Sequence, residues 1–172
     1  METIDYDALR RAIQRGSARL EVMPLVPGDV ERVSWSGSKA HLESIARQLP
    51  RVDAGEVEYL VVHADGHPVC KGGIDFAEEP GAGTVWQIAT HPQVEGAGLA
   101  TLLIGELEVR AMQRGVRRLR LGVELDNPRA RRLYEHLGYA PIGESEASWE
   151  AEAKDGSRFV YATRLTEMLK VV

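Results

Sequence analysis

The chain has 172 residues, 44% of them hydrophobic, and a formal net charge of −5, which suits one domain with a sizeable core and argues against nucleic acid as a partner. Its apolar runs fall well short of the roughly 18 residues that a membrane helix needs, and residues 1–16 lack a signal-peptide core. The lone cysteine, Cys70, excludes an internal disulfide, so we expect a soluble cytoplasmic protein without a membrane partner, in which Cys70 is a small buried hydrophobe.

Residues 1–50 predict a helical extension, a strand and a second helix. Met1–Arg15 carries apolar side chains partly on one side and is ended by Gly16. Arg19–Leu25 alternates apolar and polar residues, as a half-buried strand does. Ser38–Leu49 has the pattern of a helix that Ser38 caps and Pro50 stops. We therefore expect a single domain over residues 1–172, with residues 1–16 as an N-terminal helical extension.

Three predicted strands follow one another as a meander. Val57–His63 and Pro68–Phe76 flank Asp65-Gly66, a dipeptide typical of a two-residue hairpin turn. A second turn at Glu79–Gly83 leads into Thr84–Thr90. These strands are expected to pair antiparallel, in chain order.

A glycine-rich segment, Gly96-Ala97-Gly98-Leu99-Ala100, follows the third strand and opens a helix that Gly115 ends. The first N–H groups of a helix have no internal partner, and the helix dipole puts partial positive charge there. Glycine also lets a ligand approach the backbone closely. The predicted buried stripe of the helix is Ala100, Leu103, Ile104, Leu107 and Ala111. The segment therefore predicts a site for a phosphate or pyrophosphate.

A second strand and helix lie about thirty residues downstream, and a hairpin follows them. Leu119–Leu125 alternates apolar and polar residues, and Asn127 can cap the helix after it. Lys154-Asp155-Gly156 marks a turn between the strands Glu144–Ala153 and Ser157–Leu169. The order of elements predicts an α/β fold with a mixed sheet flanked by helices.

These two segments together resemble the GNAT superfamily of N-acetyltransferases. Glu95-Gly96-Ala97-Gly98-Leu99-Ala100 is similar to the family loop Gln/Arg-x-x-Gly-x-Gly/Ala, which holds the pyrophosphate of acetyl-CoA. The family motif Asn-x-x-Ala-x-x-x-Tyr-x-x-x-Gly-Phe/Tyr is matched by Asn127, Ala130, Tyr134, Gly138 and Tyr139. The resemblance is specific over Val85–Ile142 and architectural elsewhere. Glu95 departs from this pattern, since the family has Gln or Arg at that position. A carboxylate beside a pyrophosphate is unfavourable unless it points to solvent or pairs with an arginine, so we expect weaker binding of CoA.

The resemblance implies a GNAT fold, with a mostly antiparallel sheet of about seven strands, and acetyl-CoA as cosubstrate. The backbone of the strand before the loop would polarise the acetyl carbonyl, and Asn127 would contact the pantetheine arm. The residues that the resemblance places around acetyl-CoA are Ile88, Ala89, Thr90, Glu95, Gly96, Ala97, Gly98, Leu99, Ala100, Thr101, Asn127, Arg129, Ala130 and Tyr134. By family habit we also expect a homodimer.

The charge distribution fits this expectation. Arg110–Arg132 contains eight basic and two acidic residues, so this segment carries +6 and the remainder −11. Such a segment would surround the anionic CoA with positive potential, although a solvated helix face is the alternative for any single arginine. The acidic remainder favours a cationic acceptor such as an amine.

Acetyl transfer needs an acid for the departing thiolate and a base for the attacking amine. Tyr134 matches the family tyrosine that protonates the CoA thiolate, whereas its helical spacing with Leu133 and Leu137 predicts a core position. Asp75 and Glu124 are the two candidates for the general base, and a surface carboxylate is the alternative for each. We expect direct transfer to a small-molecule or peptide amine in a ternary complex.

Two other functions compete with this one. A dinucleotide-binding oxidoreductase is disfavoured because Thr101 stands where its fingerprint needs glycine or alanine, and no acidic residue ends a strand about 20 residues on. A non-catalytic GNAT-like module that binds acyl-CoA remains open because no motif assigns the base. His63 and His67 straddle a turn rather than share a helix face, so we predict no metal site.

Overall fold

One sheet of seven strands organises residues 3–172, the part of the chain that the computed structural model describes. Its order is β1-β2-β3-β4-β5-β7-β6, and neighbours pair antiparallel except β4 and β5, which pair parallel. The strands are β1 Leu20–Pro24, β2 Val57–Ala64, β3 His67–Asp75, β4 Ala82–Thr90, β5 Arg118–Glu124, β6 Ala140–Glu152 and β7 Arg158–Val171. This architecture confirms the predicted meander, the later strand and the closing hairpin.

Within the described residues, six α-helices connect and cover the strands. They are α1 Tyr6–Arg15, α2 Asp29–Arg32, α3 Lys39–Ala46, α4 Leu49–Asp53, α5 Leu99–Gln113 and α6 Pro128–His136. Asp5 caps α1, and Gly16 ends it in the left-handed region at φ +72°. The extension helix is thus present from Tyr6, while Met1 and Glu2 lie outside the described residues. Within residues 3–172, no helix has the length and hydropathy needed to cross a membrane.

The segment around Pro50 differs from the prediction. Ser38 caps α3 as expected, since its hydroxyl accepts a hydrogen bond from the His41 N–H at 3.3 Å. However, α3 ends at Ala46, and Pro50 lies in the first turn of α4 instead of stopping a longer helix. A proline is well suited to that position, because the N–H that it lacks would have had no helical partner there.

Each face of the sheet carries its own core. One face packs against α5 and α1, with Leu103, Ile104 and Leu107 of α5 fully buried beside Cys70. The other face packs against α2, α3 and α4 around Tyr59. The burial of Cys70 confirms its prediction as a small hydrophobe. Leu99, not Ala100, begins the buried stripe of α5, because Ala100 is turned partly towards solvent.

A separation between β4 and β5 sets the position of the candidate site. These strands pair only over Ala82–Thr84 and Arg118–Arg120, so among the described residues the later part of β4 pairs with β3 alone. A β-bulge interrupts that pairing, and its residue Gln87 has φ +56°, a left-handed conformation uncommon outside glycine. The fold therefore leaves backbone groups at the end of β4 facing an opening towards β5.

Candidate active site

The glycine loop joins the end of β4 to α5. Gly96 and Gly98 adopt φ +77° and +85°, so a residue with a side chain would be strained at either position. Helix α5 begins directly after Gly98, and no side chain caps its first N–H groups. Those donors are left for a ligand, and the dipole of the 15-residue helix favours an anion there.

Glu95, which departs from the family pattern, is held in an ion pair. Its carboxylate accepts a hydrogen bond from Arg129 Nη1 at 2.7 Å, and both side chains are exposed. The pair links the glycine loop to the start of α6. The negative charge of Glu95 is therefore partly offset before any ligand binds.

Helix α1 brings a further arginine to the same loop. The terminal Nη2 of Arg10 lies 3.6 Å from the point where a Cβ on Gly96 would stand. Leu9 of α1 is buried in the core, and Tyr6 stacks on His91 with ring centroids 4.0 Å apart. Arg10 thus lies on an anchored helix beside the predicted phosphate site. Sequence reasoning missed it because neither α1 nor its arginines belong to a recognisable motif.

Tyr134 lies near the last residue of β4. Burial raises the pKa of Tyr134 to about 12, with a smaller contribution from the neighbouring Cys70, and Cys70 Sγ is 3.4 Å from Thr90 Oγ1. The ring packs edge-on against Tyr139, with centroids 6.0 Å apart. Its hydroxyl takes part in no hydrogen bond among residues 3–172. Asn127 caps the helix that carries Tyr134 by accepting from the Ala130 N–H at 3.1 Å, as its spacing predicted.

Asp75 is held away from this region. Arg51 Nη2 donates to its carboxylate at 2.7 Å, and the backbone N–H groups of Ala77 and Glu78 donate at 2.8 and 3.2 Å. Asp75 also pairs in register with Thr84, at the end of β4 where β5 is still joined. The carboxylate of Asp75 therefore has three hydrogen-bond donors and lies at the closed end of the opening.

Glu124 ends β5 at the open end. Its Oε1 accepts a hydrogen bond from the Tyr161 hydroxyl at 2.8 Å, and this bond raises the pKa of Tyr161. Because side chains alternate along a strand, Glu124 faces away from the core that holds Leu121 and Val123. Glu124 therefore lies on the sheet face that α3 also covers, where an acceptor could approach.

Lys71 of β3 is a buried amine that the sequence analysis did not single out. It is 1% exposed, and its Nζ donates to the Gln87 carbonyl at 2.9 Å. The same Nζ lies 3.0 Å from His41 Nε2 on α3. Burial lowers the pKa of Lys71 to about 7. The available signal was a lysine within an apolar strand, because lysine is almost never fully buried without a partner.

The two segments that carry the motif thus meet at the β4–β5 opening. Residues 29–139 match the model of the acetyltransferase (GNAT) family. The chain belongs to the GNAT acetyltransferase family. Members of this family use acetyl-CoA as cosubstrate for N-acetylation.

Known proteins support the family and the fold. The chain is 34% identical over 84 residues to a mycothiol acetyltransferase from Beutenbergia cavernae, a match that covers 48% of this chain and 28% of that protein. The ribosomal-protein-S18-alanine N-acetyltransferase of Escherichia coli superimposes with a TM-score of 0.69 at 19% identity, covering 90% of this chain and 94% of that one. PaiA N-acetyltransferase from Thermoplasma acidophilum, solved in complex with coenzyme A, gives 0.66 at 17% identity and covers 90% and 99%.

The basic segment of this GNAT domain differs from the uniform positive surface that its charge count suggested. Carboxylates already pair with several of its arginines, namely Arg110, Arg114, Arg120, Arg129 and Arg131. Arg110 and Arg114 share Glu58, far along α5 from the glycine loop. Much of the positive charge of the segment is therefore already paired with carboxylates. Among residues 3–172, no cluster of three His, Cys, Asp or Glu side chains could hold a metal ion.

Proposed function

We propose that this chain is an acetyl-CoA-dependent N-acetyltransferase that passes the acetyl group directly to a primary amine in a ternary complex. The observation that carries this proposal is the bulged end of β4, which has an unpaired edge beside the uncapped start of α5 and the Tyr134 hydroxyl nearby. This combination offers backbone donors for a thioester carbonyl, a pyrophosphate site and an acid within one region.

Binding of acetyl-CoA would use the loop and the strand before it. We assign the pyrophosphate to the backbone of Gly96–Thr101, the thioester and pantetheine to Ile88–Thr90, and further pantetheine contacts to Asn127 and Ala130. Arg129 is assigned to the same site through its pair with Glu95. The uncapped helix start and the two left-handed glycines support this assignment.

Transfer would proceed by attack of a neutral amine on the thioester carbonyl, followed by departure of the CoA thiolate. Tyr134 is proposed as the general acid. Its raised pKa of about 12 keeps it protonated at neutral pH, so its O–H remains available to the leaving sulfur. The partner-free hydroxyl supports this role, whereas a tyrosine used only for packing would gain nothing from it.

Of the two carboxylates considered, Glu124 is placed at the proposed acceptor site and Asp75 is not. The carboxylate of Glu124 would attract the acceptor's ammonium group, and Tyr161 would fix its orientation. Trp149 packs against Tyr161 with ring centroids 5.0 Å apart and planes tilted by 46°, and it is proposed to border the same approach. Small amines, amino acids, aminoglycoside-like compounds, and protein N-termini or lysines are all acceptors of this class.

A homodimer is also proposed. The β6–β7 hairpin supports it, because its side chains Trp149, Phe159 and Val160 are large, apolar and exposed, Val160 by 73%. Light scattering of the purified chain tests the proposal, and a monomer at all concentrations would contradict it.

Calorimetric titration with acetyl-CoA tests the proposed function, with Glu95→Gln as a companion variant. We expect saturable binding that tightens about two- to fivefold in the variant, because the substitution removes a negative charge and frees Arg129. An amine panel with a thiol-release assay follows. Binding without CoA release for any amine would favour the non-catalytic acyl-CoA module, and no binding by either protein would contradict both functions.

Arg10→Ala is expected to weaken acetyl-CoA binding about five- to tenfold, because the variant loses a cation beside the pyrophosphate loop. Arg11→Ala is the matched control, since Arg11 is also exposed on α1 and should change the Kd less than about twofold. Acetyl-pantetheine, which lacks the nucleotide phosphates, should bind the Arg10 variant and the parent equally. A similar loss for both ligands would mean that α1 acts on the fold and not on the phosphates.

A further inference from the structure

Lys71 occupies a site that ordinary packing does not explain. Its side chain is almost fully enclosed, yet its Nζ reaches the carbonyl of Gln87, the residue whose left-handed conformation forms the bulge of β4. It lies on the sheet face opposite Cys70, together with Tyr59 and Trp86. The bulge directly precedes Ile88 and Ala89, to which the thioester is assigned. The amine of Lys71 therefore hydrogen-bonds to the peptide group that joins Gln87 to Ile88, where the proposed thioester site begins.

No carboxylate neutralises this lysine. Among the described residues, its Nζ contacts only the Gln87 carbonyl and His41 Nε2. The acidic groups of the packed elements have other partners: Glu43 of α3 pairs with Arg158, and Glu152 of β6 accepts from the Ala40 N–H. Tyr59 of β2 donates to the Gln87 side chain instead. An enclosed ammonium without a counter-ion favours its neutral form.

His41 connects this amine to the acceptor side. Its Nε2 faces Lys71, and burial together with the charge of Lys71 lowers the pKa of His41 to about 4. His41 Nδ1 has no hydrogen-bond partner among residues 3–172, and this atom is not fully buried there. The imidazole therefore has one nitrogen on the buried lysine and the other open to a ligand, on the helix that covers the face where Glu124 lies.

We propose that His41 and Lys71 together take the proton that the acceptor amine must lose before it attacks the thioester, an inference that rests on the proposed acetyl transfer. The acceptor ammonium gives a proton to His41 Nδ1, and the Nε2–H of His41 passes to the lone pair on Lys71 Nζ. The neutral amine then forms its bond to the acetyl carbon, and the C–S bond breaks. Tyr134 protonates the departing thiolate, and the resulting tyrosinate takes the second proton from the acylated nitrogen. The proton on Lys71 later returns to solvent through His41.

The two side chains have different roles in this relay. His41 would touch the substrate and is the catalytic residue. Lys71 acts through His41 and is a positioning residue that stores the proton, since it is too enclosed to meet the amine directly. In its charged form Lys71 is a donor only and requires the His41 tautomer with hydrogen on Nδ1, whereas the lone pair of its neutral form accepts from the tautomer with hydrogen on Nε2.

NMR titration of the free protein tests the relay without any acceptor. With ¹⁵N-labelled lysine and histidine, and Lys71→Met for assignment, we expect Lys71 to titrate near pH 7. As the pH falls through this range and Lys71 becomes charged, we also expect His41 to change from its Nε2–H tautomer to its Nδ1–H tautomer. A Lys71 that stays charged up to pH 9, or a His41 tautomer that does not follow it, would overturn the proposal even if the enzyme acetylates amines.

Turnover separates a proton store from a structural anchor. For an alkylamine such as benzylamine, Lys71→Met is expected to lower kcat/KM about 100-fold at pH 7, with a deficit that shrinks as pH rises. For aniline, which is already neutral at pH 7, the same variant should stay within about threefold. Lys71→Arg keeps a donor for Gln87 but cannot accept a proton, so it should remain as impaired as Lys71→Met with the alkylamine.

Matched variants complete the test. Lys39→Met, at the exposed start of α3, should leave both amines unaffected. Rescue by Lys71→Arg, or equal losses with benzylamine and aniline, would overturn the proposal in favour of an anchor for the bulge. If Glu124→Gln lowered kcat/KM for benzylamine but not for aniline, while Lys71→Met kept both values, the base would be Glu124. Failure of the parent protein to release CoA with every amine of the panel contradicts the proposed function, whereas the NMR titration tests the pairing of Lys71 with His41 independently.

Discussion

Tyr134→Phe is expected to lower kcat for amine acetylation at least about 100-fold while changing the Kd for acetyl-CoA less than about threefold. The substitution removes only the hydroxyl, and that hydroxyl has no partner among the described residues. The ring still packs against Tyr139 and the core, so the fold should persist. Thiol release under saturating acetyl-CoA measures the loss, and calorimetry measures the retained binding.

Tyr139→Phe is the matched control for this experiment. Its hydroxyl donates to Glu108 at 3.1 Å within the core, and deleting it should cost about 1 kcal/mol of stability. Its kcat should remain within about threefold of the parent value. If Tyr134→Phe turned over as fast as the parent, the thiolate would leave without help from Tyr134, and the core position predicted by helical spacing would be the whole role of this residue.

Lys71→Met is expected to change the pH dependence of stability by several kcal/mol. The pKa of Lys71 is about 7 in the folded protein and near 10.4 in an unfolded chain. Between these values the unfolded chain binds more protons, so Lys71 makes the parent more stable as pH rises from 7 to 10. Below pH 7 burial of the charged Lys71 amine lowers the free energy of unfolding by its full amount, about 4 to 5 kcal/mol at 1.36 kcal/mol per pKa unit.

The variant has no group that titrates at this position. Its free energy of unfolding should therefore exceed that of the parent most at pH 6 to 7, and this advantage should shrink by several kcal/mol towards pH 10. The variant also loses the hydrogen bonds to Gln87 and His41, which lowers its free energy of unfolding by a similar amount at every pH. Denaturant melts at five pH values measure the difference, and Lys39→Met should run parallel to the parent. A difference that is constant with pH would mean that Lys71 stays charged when folded.

Features governed by neighbours in the chain could be predicted from the sequence. The caps at Ser38 and Asn127, the turn at Asp65-Gly66 and the glycine loop all depend on hydrogen bonds or backbone angles within a few residues. The buried face of α5 followed from its period, with Leu99 in place of Ala100 as the one difference. The family motif lies within these same local elements, which is why the fold and the cosubstrate could be predicted.

Side-chain partners between elements were decided only by the tertiary structure. Asp75 is held by Arg51, and Lys71 meets His41 thirty residues away, because the sheet register and the packing of α3 and α4 bring them together. Arg10 reaches Gly96 only because α1 docks beside the loop. A sequence reveals that a carboxylate or an amine exists, but its charge state and reach depend on burial and on partners from distant elements. The position of the glycine loop could therefore be predicted from the sequence. The partners and burial of each possible proton acceptor, in contrast, depend on the packing of the sheet and its helices.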